Sequence, residues 1–331
     1  MVARFLIFVA ILVALLTAGV CWMTTAGEAP VIGPRRTLTE DEEKIGEKLQ
    51  MHVRELSFQI GPRSNRHSTT LRQTAEYIDA SLASFGYRVT SEAFTSQSQK
   101  LHNVIAERRG STKPDDILLL GAHYDSYRRS PGANANASGV AVLLELARVL
   151  RNDNPTRSIR LAFFANGERP FLGTEGSGSF NHATGARARS EDIRLMVCLD
   201  TIGYYSDKEG SQSFPFPLNL RYPSTGDFLA IIGGLKRRDL VTKIVTRWAE
   251  ISAVPAYGGA LPGWFPGVLR SDHEIFESLG YPAVLLTDTA ENRWRDARTV
   301  YDKFPYLDYK SLAQIVTSLE ALTLELANGD I

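Results

Sequence analysis

The sequence has few cysteines, no excess of either charge and no internal repeat. Of its 331 residues only Cys21 and Cys198 are cysteines, which excludes a cysteine-based metal site, and the position of Cys21 in an apolar segment argues against a structural disulfide. The 37 basic residues equal the 37 acidic residues, so no broad basic field indicates nucleic acid as a partner. Hydrophobic residues make up 44% of the chain, an ordinary value for a globular protein with a sizeable core.

The long apolar run of the sequence lies at the N terminus, between Phe5 and Met23. About nineteen helical residues span roughly 28 Å, close to the thickness of a bilayer core. We therefore expect residues 1–24 to be a single-pass membrane anchor or, alternatively, a signal peptide that is cleaved after export. Because Arg4 is the flanking positive charge before the run, the following domain is expected on the extracytoplasmic side, or secreted or periplasmic after cleavage.

The remaining chain reads as a linker at 25–40 and a single domain at 41–331. Strand-like and helix-like segments alternate, which predicts an α/β fold with a mainly parallel sheet. The apolar stretch DDILLLGAHYDS (115–126) predicts a central strand. Helices are expected at 37–60 with Thr39 as N-cap, 69–86, 138–150, 236–252 and 309–328, strands at 158–168, 193–206 and 281–290, and surface loops at 207–227 and 255–272.

Polar residues follow four of the apolar strands: His123 with Asp125, Glu168, Asp200 and Asp288. The carboxyl ends of parallel strands meet at the edge of an open sheet where ligands bind, so these side chains are expected to lie close together. A dinuclear zinc site takes His and carboxylate ligands from several strand ends and needs a bridging carboxylate. It also needs a separate Glu that accepts a proton from the bound water.

Seven motifs occur in a characteristic order: AHYDS (122–126), GANANASG (132–139), FANGE (164–168), LDTIGYYSD (199–207), SDHEIF (271–276), TDTA (287–290) and LDY (307–309). Together they resemble the zinc-dependent aminopeptidases of metallopeptidase clan MH, whose relatives include bacterial leucyl aminopeptidases, glutaminyl cyclases and transferrin-receptor-like peptidases. The resemblance covers roughly residues 45–325. It implies a three-layer αβα sandwich with a mixed, mainly parallel sheet, and zinc as the cofactor.

The resemblance implies that three metal ligands are retained, namely His123, Glu168 and Asp200. Asp125 would orient His123 from behind, and Asp272 would be a further supporting acid. In the family arrangement His123 and Asp200 serve one zinc ion, and Glu168 serves the other. His273 matches a family feature that is not usually a ligand, although recruitment to a metal is an open alternative.

Three further positions of the family's site hold other residues. The bridging Asp corresponds to Ala135, the general base to Gly167 and the last His ligand to Arg298, which lies four residues before Asp302. Neither zinc ion would then keep the three protein ligands that catalytic zinc normally needs. A register shifted by one residue would make Glu168 the base and would place the lost ligand at Arg169 instead, and that shift does not restore the site.

Two functions follow from this pattern. One is an inactive or strongly impaired family member that binds a peptide or protein ligand in the cleft, and the alternative is an active hydrolase that releases N-terminal residues with an altered metal site. Arg298 is expected to pair with Glu168 or Asp200 in place of a metal ion, and drift in an exposed loop is the competing explanation. Trp264, Phe265 and Trp294 are expected to pack rim loops.

Overall fold

A nine-stranded sheet carries the fold of the computed structural model, which describes residues 2–27, 30, 35–262 and 270–329. The strands are β1 (Thr25–Ala26), β2 (Val89–Ser96), β3 (Gln99–Arg108), β4 (Lys113–His123), β5 (Arg157–Phe164), β6 (Asp192–Leu199), β7 (Leu229–Gly233), β8 (Ala256–Ala260) and β9 (Ala283–Thr287). The helices are α1 (Val2–Thr24), α2 (Glu40–Arg54), α3 (Ser68–Ser84), α4 (Ser138–Leu150), α5 (Gly178–Ala188), α6 (Arg238–Ile251), α7 (His273–Ser278) and α8 (Tyr309–Asn328).

The strand order is β1-β8-β7-β9-β6-β4-β5-β3-β2. Strands β9, β6, β4 and β5 form a parallel block at the centre, and antiparallel pairs flank it on both sides. This topology confirms the predicted mixed sheet with parallel central strands. The carboxyl ends of β4 and β6 consequently lie side by side, and they position the residues of the candidate site.

Helices cover both faces of the sheet, which confirms the three-layer αβα arrangement. On β4, Leu118 and Leu120 pack into the core shared with α2, α3, α4, α6 and α8. Ile117 and Leu119 point to the opposite core, which α5 and α7 cover. Successive side chains of a strand point to opposite faces, so a central strand needs the continuous apolar run found here.

The start of helix α2 agrees with its sequence signal, whereas strand β8 does not. Thr39 caps α2 as predicted, with its side chain accepting from the Glu42 N–H at 3.3 Å. The prediction of a surface loop over 255–272 is wrong at 256–260, because AYGGA forms strand β8. A Cβ at Gly258 would lie 2.1 Å from the Ala26 carbonyl oxygen, so pairing with β1 requires glycine where sequence patterns predict a loop.

The N-terminal segment departs from its predicted role. Crossing a bilayer takes about 20 predominantly apolar residues in one helix. Within the described ranges of the chain, no helix combines the length and apolar character that crossing a membrane requires. The prediction of a single-pass membrane anchor at 1–24 is therefore wrong. Helix α1 ends at Thr24 and leads into β1, so the expected linker at 25–40 begins as a strand of the sheet.

A buried arginine ties the loop after β4 to the end of the α2 segment. Arg63 is fully buried, and its guanidinium stays protonated although burial lowers its pKa to about 10. It donates at 2.7–3.1 Å to five backbone carbonyl oxygens, those of Leu56, Gly61, Tyr124, Pro131 and Gly132. The two segments that flank the candidate site are thus held by one side chain.

Replacing Arg63 with Leu should lower the free energy of unfolding by about 3–5 kcal/mol, because five buried carbonyl oxygens would lose a charged donor. Urea unfolding followed by circular dichroism measures the change. The exposed Arg66 is the matched control, and Arg66→Leu should change stability by less than about 0.5 kcal/mol. Equal effects of the two substitutions would contradict the role assigned to Arg63.

Candidate functional site

The turn between β4 and α4 is built around the buried amide of Asn136. Its Nδ2 donates to the carbonyl oxygens of Leu199 at 2.8 Å and His123 at 3.3 Å, which are the last residues of β6 and β4. Its Oδ1 accepts the N–H of Thr201 at 3.1 Å and of Gly139 at 3.3 Å. One amide therefore joins two strand ends to the first turn of α4.

A second buried side chain fixes the same turn from the opposite side. Asp302 accepts the backbone N–H groups of Asn134 at 2.6 Å, Ala135 at 3.1 Å and Arg298 at 3.2 Å. Burial raises the pKa of Asp302 to about 6, and the three backbone donors oppose that rise. Arg298 has a left-handed backbone (φ 62°), which this contact helps to hold in place. Ala135 and Arg298 are therefore brought to one place by a single carboxylate.

His123 lies at the end of β4 between two carboxylates. Its Nδ1 contacts Asp125 Oδ1 at 3.2 Å, and its Nε2 lies 3.5 Å from Asp200 Oδ1, longer than most hydrogen bonds. Burial lowers the pKa of His123, but the hydrogen bond to Asp125 and the negative charge of Asp200 outweigh that effect and raise the pKa well above its ordinary value. The two nearby carboxylates therefore favour the protonated form of His123.

Gly167, the position of the expected general base, has no space for a side chain. A Cβ added there would lie 2.3 Å from His123 Cβ and 2.4 Å from His123 Cγ, far inside van der Waals contact. The local backbone is held by Asp125, whose two oxygens accept the N–H of Gly167 at 2.6 Å and of Glu168 at 3.1 Å. No larger residue fits at position 167 unless His123 or this backbone moves.

The guanidinium of Arg298 sits between the two remaining acids, as expected from the sequence. Its Nε donates to Glu168 Oε1 at 2.7 Å, and its Nη2 lies 3.3 Å from Asp200 Oδ1. Glu291 adds a third contact at 3.2 Å from the more exposed side. The competing explanation, drift in an exposed loop, does not fit these contacts, since 17% of the Arg298 side chain is exposed.

These contacts set the protonation of both acids. Burial raises the pKa of Asp200, but the opposite charges of Arg298 and His123 prevail, so the pKa falls well below its ordinary value. For Glu168 burial prevails over the nearby Arg298 and His123, and its pKa is raised. The acids of the site are matched by cations that belong to the protein itself.

The other sequence-predicted residues have structural surroundings. Asp288 is buried and binds the Asn134 amide and the N–H groups of Tyr204 and Ala290, at 2.8–2.9 Å. Trp294 stacks on Tyr204 with ring centroids 4.9 Å apart, as expected for a packing role.

Two neighbouring residues at the start of α7 are buried. Asp272 has its pKa raised to about 6 by burial, and burial lowers that of His273 to about 4. Arg169, which would be the lost ligand in the shifted register, is exposed and lines a cleft together with Arg298. Trp264 and Phe265 lie outside the described residues.

The donor set does not fit a zinc centre. Within residues 2–27, 30, 35–262 and 270–329, no three His, Cys, Asp or Glu side chains form a group that could hold a metal ion. Arg298 occupies the hydrogen-bonding positions of Glu168 and Asp200 that a cation would use. The metal roles of His123, Glu168 and Asp200 therefore remain predictions from the resemblance.

Comparison with known proteins identifies the family. The family model for Peptidase family M28 matches residues 103–323. The protein YfbL of Escherichia coli K12 is 34% identical over 285 residues, which cover 83% of this chain and 87% of YfbL. The chain belongs to peptidase family M28. The resemblance inferred from the motif order is thereby confirmed.

Solved structures with the same fold include members of two enzyme classes. A zinc aminopeptidase from Bacillus subtilis, BSAP, has a TM-score of 0.69 at 16% identity and covers 89% of this chain and 97% of its own. The glutaminyl cyclase of Fimbriiglobus ruber has a TM-score of 0.61 at 19% identity, over 88% of this chain and 96% of its own. At such identities the likeness establishes the M28 fold alone.

Two features of the site escaped prediction from the sequence. Glu291 contacts Arg298, yet nothing in the stretch TAENRW marks it as a partner. Asp302 marks the position of Arg298 in the sequence, but its contacts are with backbone N–H groups, which carry no residue-specific signal.

Gly167→Ala should lower the free energy of unfolding by about 1–3 kcal/mol, because the new Cβ overlaps His123. Gly46→Ala, within helix α2, is the matched control. A Cβ there would have the Tyr309 carbonyl oxygen as its nearest neighbour, at an ordinary distance of 3.5 Å. That control should be neutral or stabilising, because Ala favours the helix by about 0.5–1 kcal/mol. Thermal unfolding of the two variants checks the difference, and a neutral Gly167→Ala would disprove the predicted overlap.

Arg298→Met should destabilise the protein by about 3 kcal/mol, because it leaves Glu168 and Asp200 buried without their guanidinium. Glu291→Gln removes the partner on the exposed side, where 49% of the side chain is accessible, and should cost less than about 1 kcal/mol. Urea unfolding of the variants at pH 7 measures both effects. A smaller effect for Arg298→Met than for Glu291→Gln would refute the central position given to Arg298.

Proposed function

We propose that this M28 protein binds peptides without hydrolysing them, or hydrolyses them only at a strongly impaired rate. The observation that carries the proposal is the guanidinium of Arg298 between Glu168 and Asp200. The fixed positive charge of Arg298 pairs with Glu168 and Asp200, which are two of the three retained family ligands. Loss of a general base alone commonly lowers a rate by about 10²–10⁴, and Ala135 and Arg298 add the loss of metal ligands.

The surroundings of the substitutions support the same proposal. Ala135 is fully buried at the position of the bridging Asp, and its methyl group offers no ligand. Gly167 lacks the space that a base would need. The three positions lie in one hydrogen-bonded unit, in which Asp125 holds the backbone at 167 and Asp302 holds the backbones at 135 and 298.

The cleft beside Arg298 supports peptide binding. It has a volume of about 410 Å³, in the range of ligand-binding pockets. Apolar and polar side chains share its lining, which comprises Tyr127, Gly167, Glu168, Arg169, Leu172, Arg270, Glu291 and Arg298. A peptide offers both kinds of partner, which is also the ligand class of the relatives named as aminopeptidases.

An active peptidase with an altered metal site is the second candidate. It is favoured by the buried Nε2 of His123, which has no hydrogen-bond partner among the described residues, and by the retained Asp200 close to it. A zinc ion at that nitrogen would supply Lewis-acid chemistry and an activated water. Arg298 would have to leave its present contacts before Asp200 and Glu168 could share in binding.

Zinc analysis of the purified protein tests the two candidates. After dialysis against zinc, atomic emission spectroscopy should find less than one zinc ion per chain, and aminoacyl p-nitroanilide substrates should show no turnover that depends on His123. Stoichiometric zinc, together with turnover abolished by His123→Ala, would overturn the proposal and establish the second candidate.

The double variant Ala135→Asp with Arg298→His should gain zinc, because it restores two of the three missing groups next to the retained ones. It should still lack turnover, since position 167 remains Gly and provides no base. Isothermal titration with zinc measures the gain. Lys303→His is the control, because it adds a histidine on an exposed side chain near Asp302 without supplying a ligand position. Zinc binding equal to that of the control would contradict the assignment of positions 135 and 298 to the bridging Asp and the last His ligand.

A further inference from the structure

A second cleft adjoins the candidate site and carries unpaired positive charge. Its volume is about 320 Å³. It is lined by Ser64, Asn65, Arg66, Gln97, Asp125, Ser126, Tyr127, Arg128, Glu168, Arg169, Pro170 and Phe171. We call it the arginine cleft. It shares Tyr127, Glu168 and Arg169 with the cleft beside Arg298, so the two clefts are neighbours.

We infer that the arginine cleft recognises a carboxylate of an acidic peptide. The inference rests on the proposed peptide-binding function and specifies its ligand class. Arg66, Arg128 and Arg169 all line this cleft, are exposed, and form no ion pair or hydrogen bond with any other described residue. Since the chain as a whole has no net charge, three unpaired guanidinium groups around one concave surface are a local excess of positive charge.

The two acids that line the arginine cleft do not cancel this charge. Asp125 is buried and contacts His123 and the backbone N–H groups of Gly167 and Glu168. Glu168 is paired with Arg298 at 2.7 Å. Both carboxylates therefore already have partners inside the protein, whereas the arginines await an external one.

Two further groups are suited to an anionic ligand. The guanidinium of Arg128 lies over the Tyr127 ring, 5.1 Å from its centroid, which restrains the side chain and leaves its N–H groups available. The Nδ2 of Asn65 is a buried donor atom without an acceptor in the described part of the chain. Arginine pairs with carboxylates in a bidentate geometry, and an amide N–H can complete the contact.

The remaining lining favours a peptide over a small inorganic anion. Pro170, Phe171 and Tyr127 supply apolar surface beside the charged groups. Such surface packs against the aliphatic and backbone atoms of a peptide but contributes nothing to a free phosphate ion. A peptide with acidic side chains satisfies both halves of the cleft.

Fluorescence anisotropy with two labelled octapeptides tests the inference. One has Glu at three consecutive positions, and the other has Gln at the same positions. Wild-type protein should bind the Glu peptide at least about tenfold more tightly, the effect of a single charge-assisted hydrogen bond. The preference should shrink as sodium chloride is raised, because exposed charges are screened.

Charge removal and a matched control locate the effect. The triple variant R66Q/R128Q/R169Q should lose the preference, and its circular dichroism and melting temperature should match the wild type because all three side chains are exposed and unpaired. R109Q removes an exposed arginine just beyond β3, at the opposite end of the sheet, and should retain the preference. A triple variant that keeps the preference would overturn the inference.

The remaining outcomes separate this inference from the proposed function. Equal affinity for both peptides, without hydrolysis, overturns the inference alone. Displacement of the Glu peptide by an equal concentration of inorganic phosphate would assign the cleft to a free anion and also overturn it. Rapid hydrolysis of the Glu peptide by protein that holds stoichiometric zinc, abolished by His123→Ala, overturns the proposed function while the charge preference stands. Failure to bind either peptide contradicts both the inference about the arginine cleft and the proposed function.

Discussion

The pairing of one guanidinium with two buried carboxylates is the constraint around which the site is organised. Glu168 follows β5 and Asp200 follows β6, the two strands on either side of β4, and two buried acids that share one guanidinium need positive charge. Arg298 provides that charge from a loop, and His123 provides more from β4. Here the protein meets the electrostatic requirement of the fold with its own residues.

The contacts that hold the turn at 132–139 do not involve the side chain at position 135. Asn136 and Asp302 keep their contacts with strand ends and backbone N–H groups, and those contacts matter to folding whether or not a ligand is bound. The side chain at 135 makes no such contact, because it is the backbone N–H of Ala135 that Asp302 holds. A change from an acid to a methyl group at this position therefore leaves the surrounding bonds intact.

Sequence patterns predicted the elements whose signals are local. The bounds of helices α4 and α8 agree with the prediction, and those of β4 lie within three residues of it, because hydrophobic periodicity is visible in a single sequence. The positions of the site came from motif order, and so did the pairing expected of Arg298. What escaped prediction depends on contacts distant in sequence. Strand β8 can pair with β1 because Gly258 leaves room for the backbone at Ala26. Arg63 matters because it binds carbonyl groups of two segments that are distant in sequence, the end of the α2 segment and the loop after β4. Neither kind of contact leaves a pattern in neighbouring residues.

The missing space at Gly167 has a consequence for any attempt to place a base there. A side chain at position 167 requires His123 and the backbone after β5 to stand farther apart, because an added Cβ would overlap His123 and Asp125 holds this backbone in place. A glutamate introduced at position 167 alone would therefore meet a structure that does not accommodate it. Restoring a base is thus a coupled change, in which the strand end beside position 167 has to move before a side chain can enter.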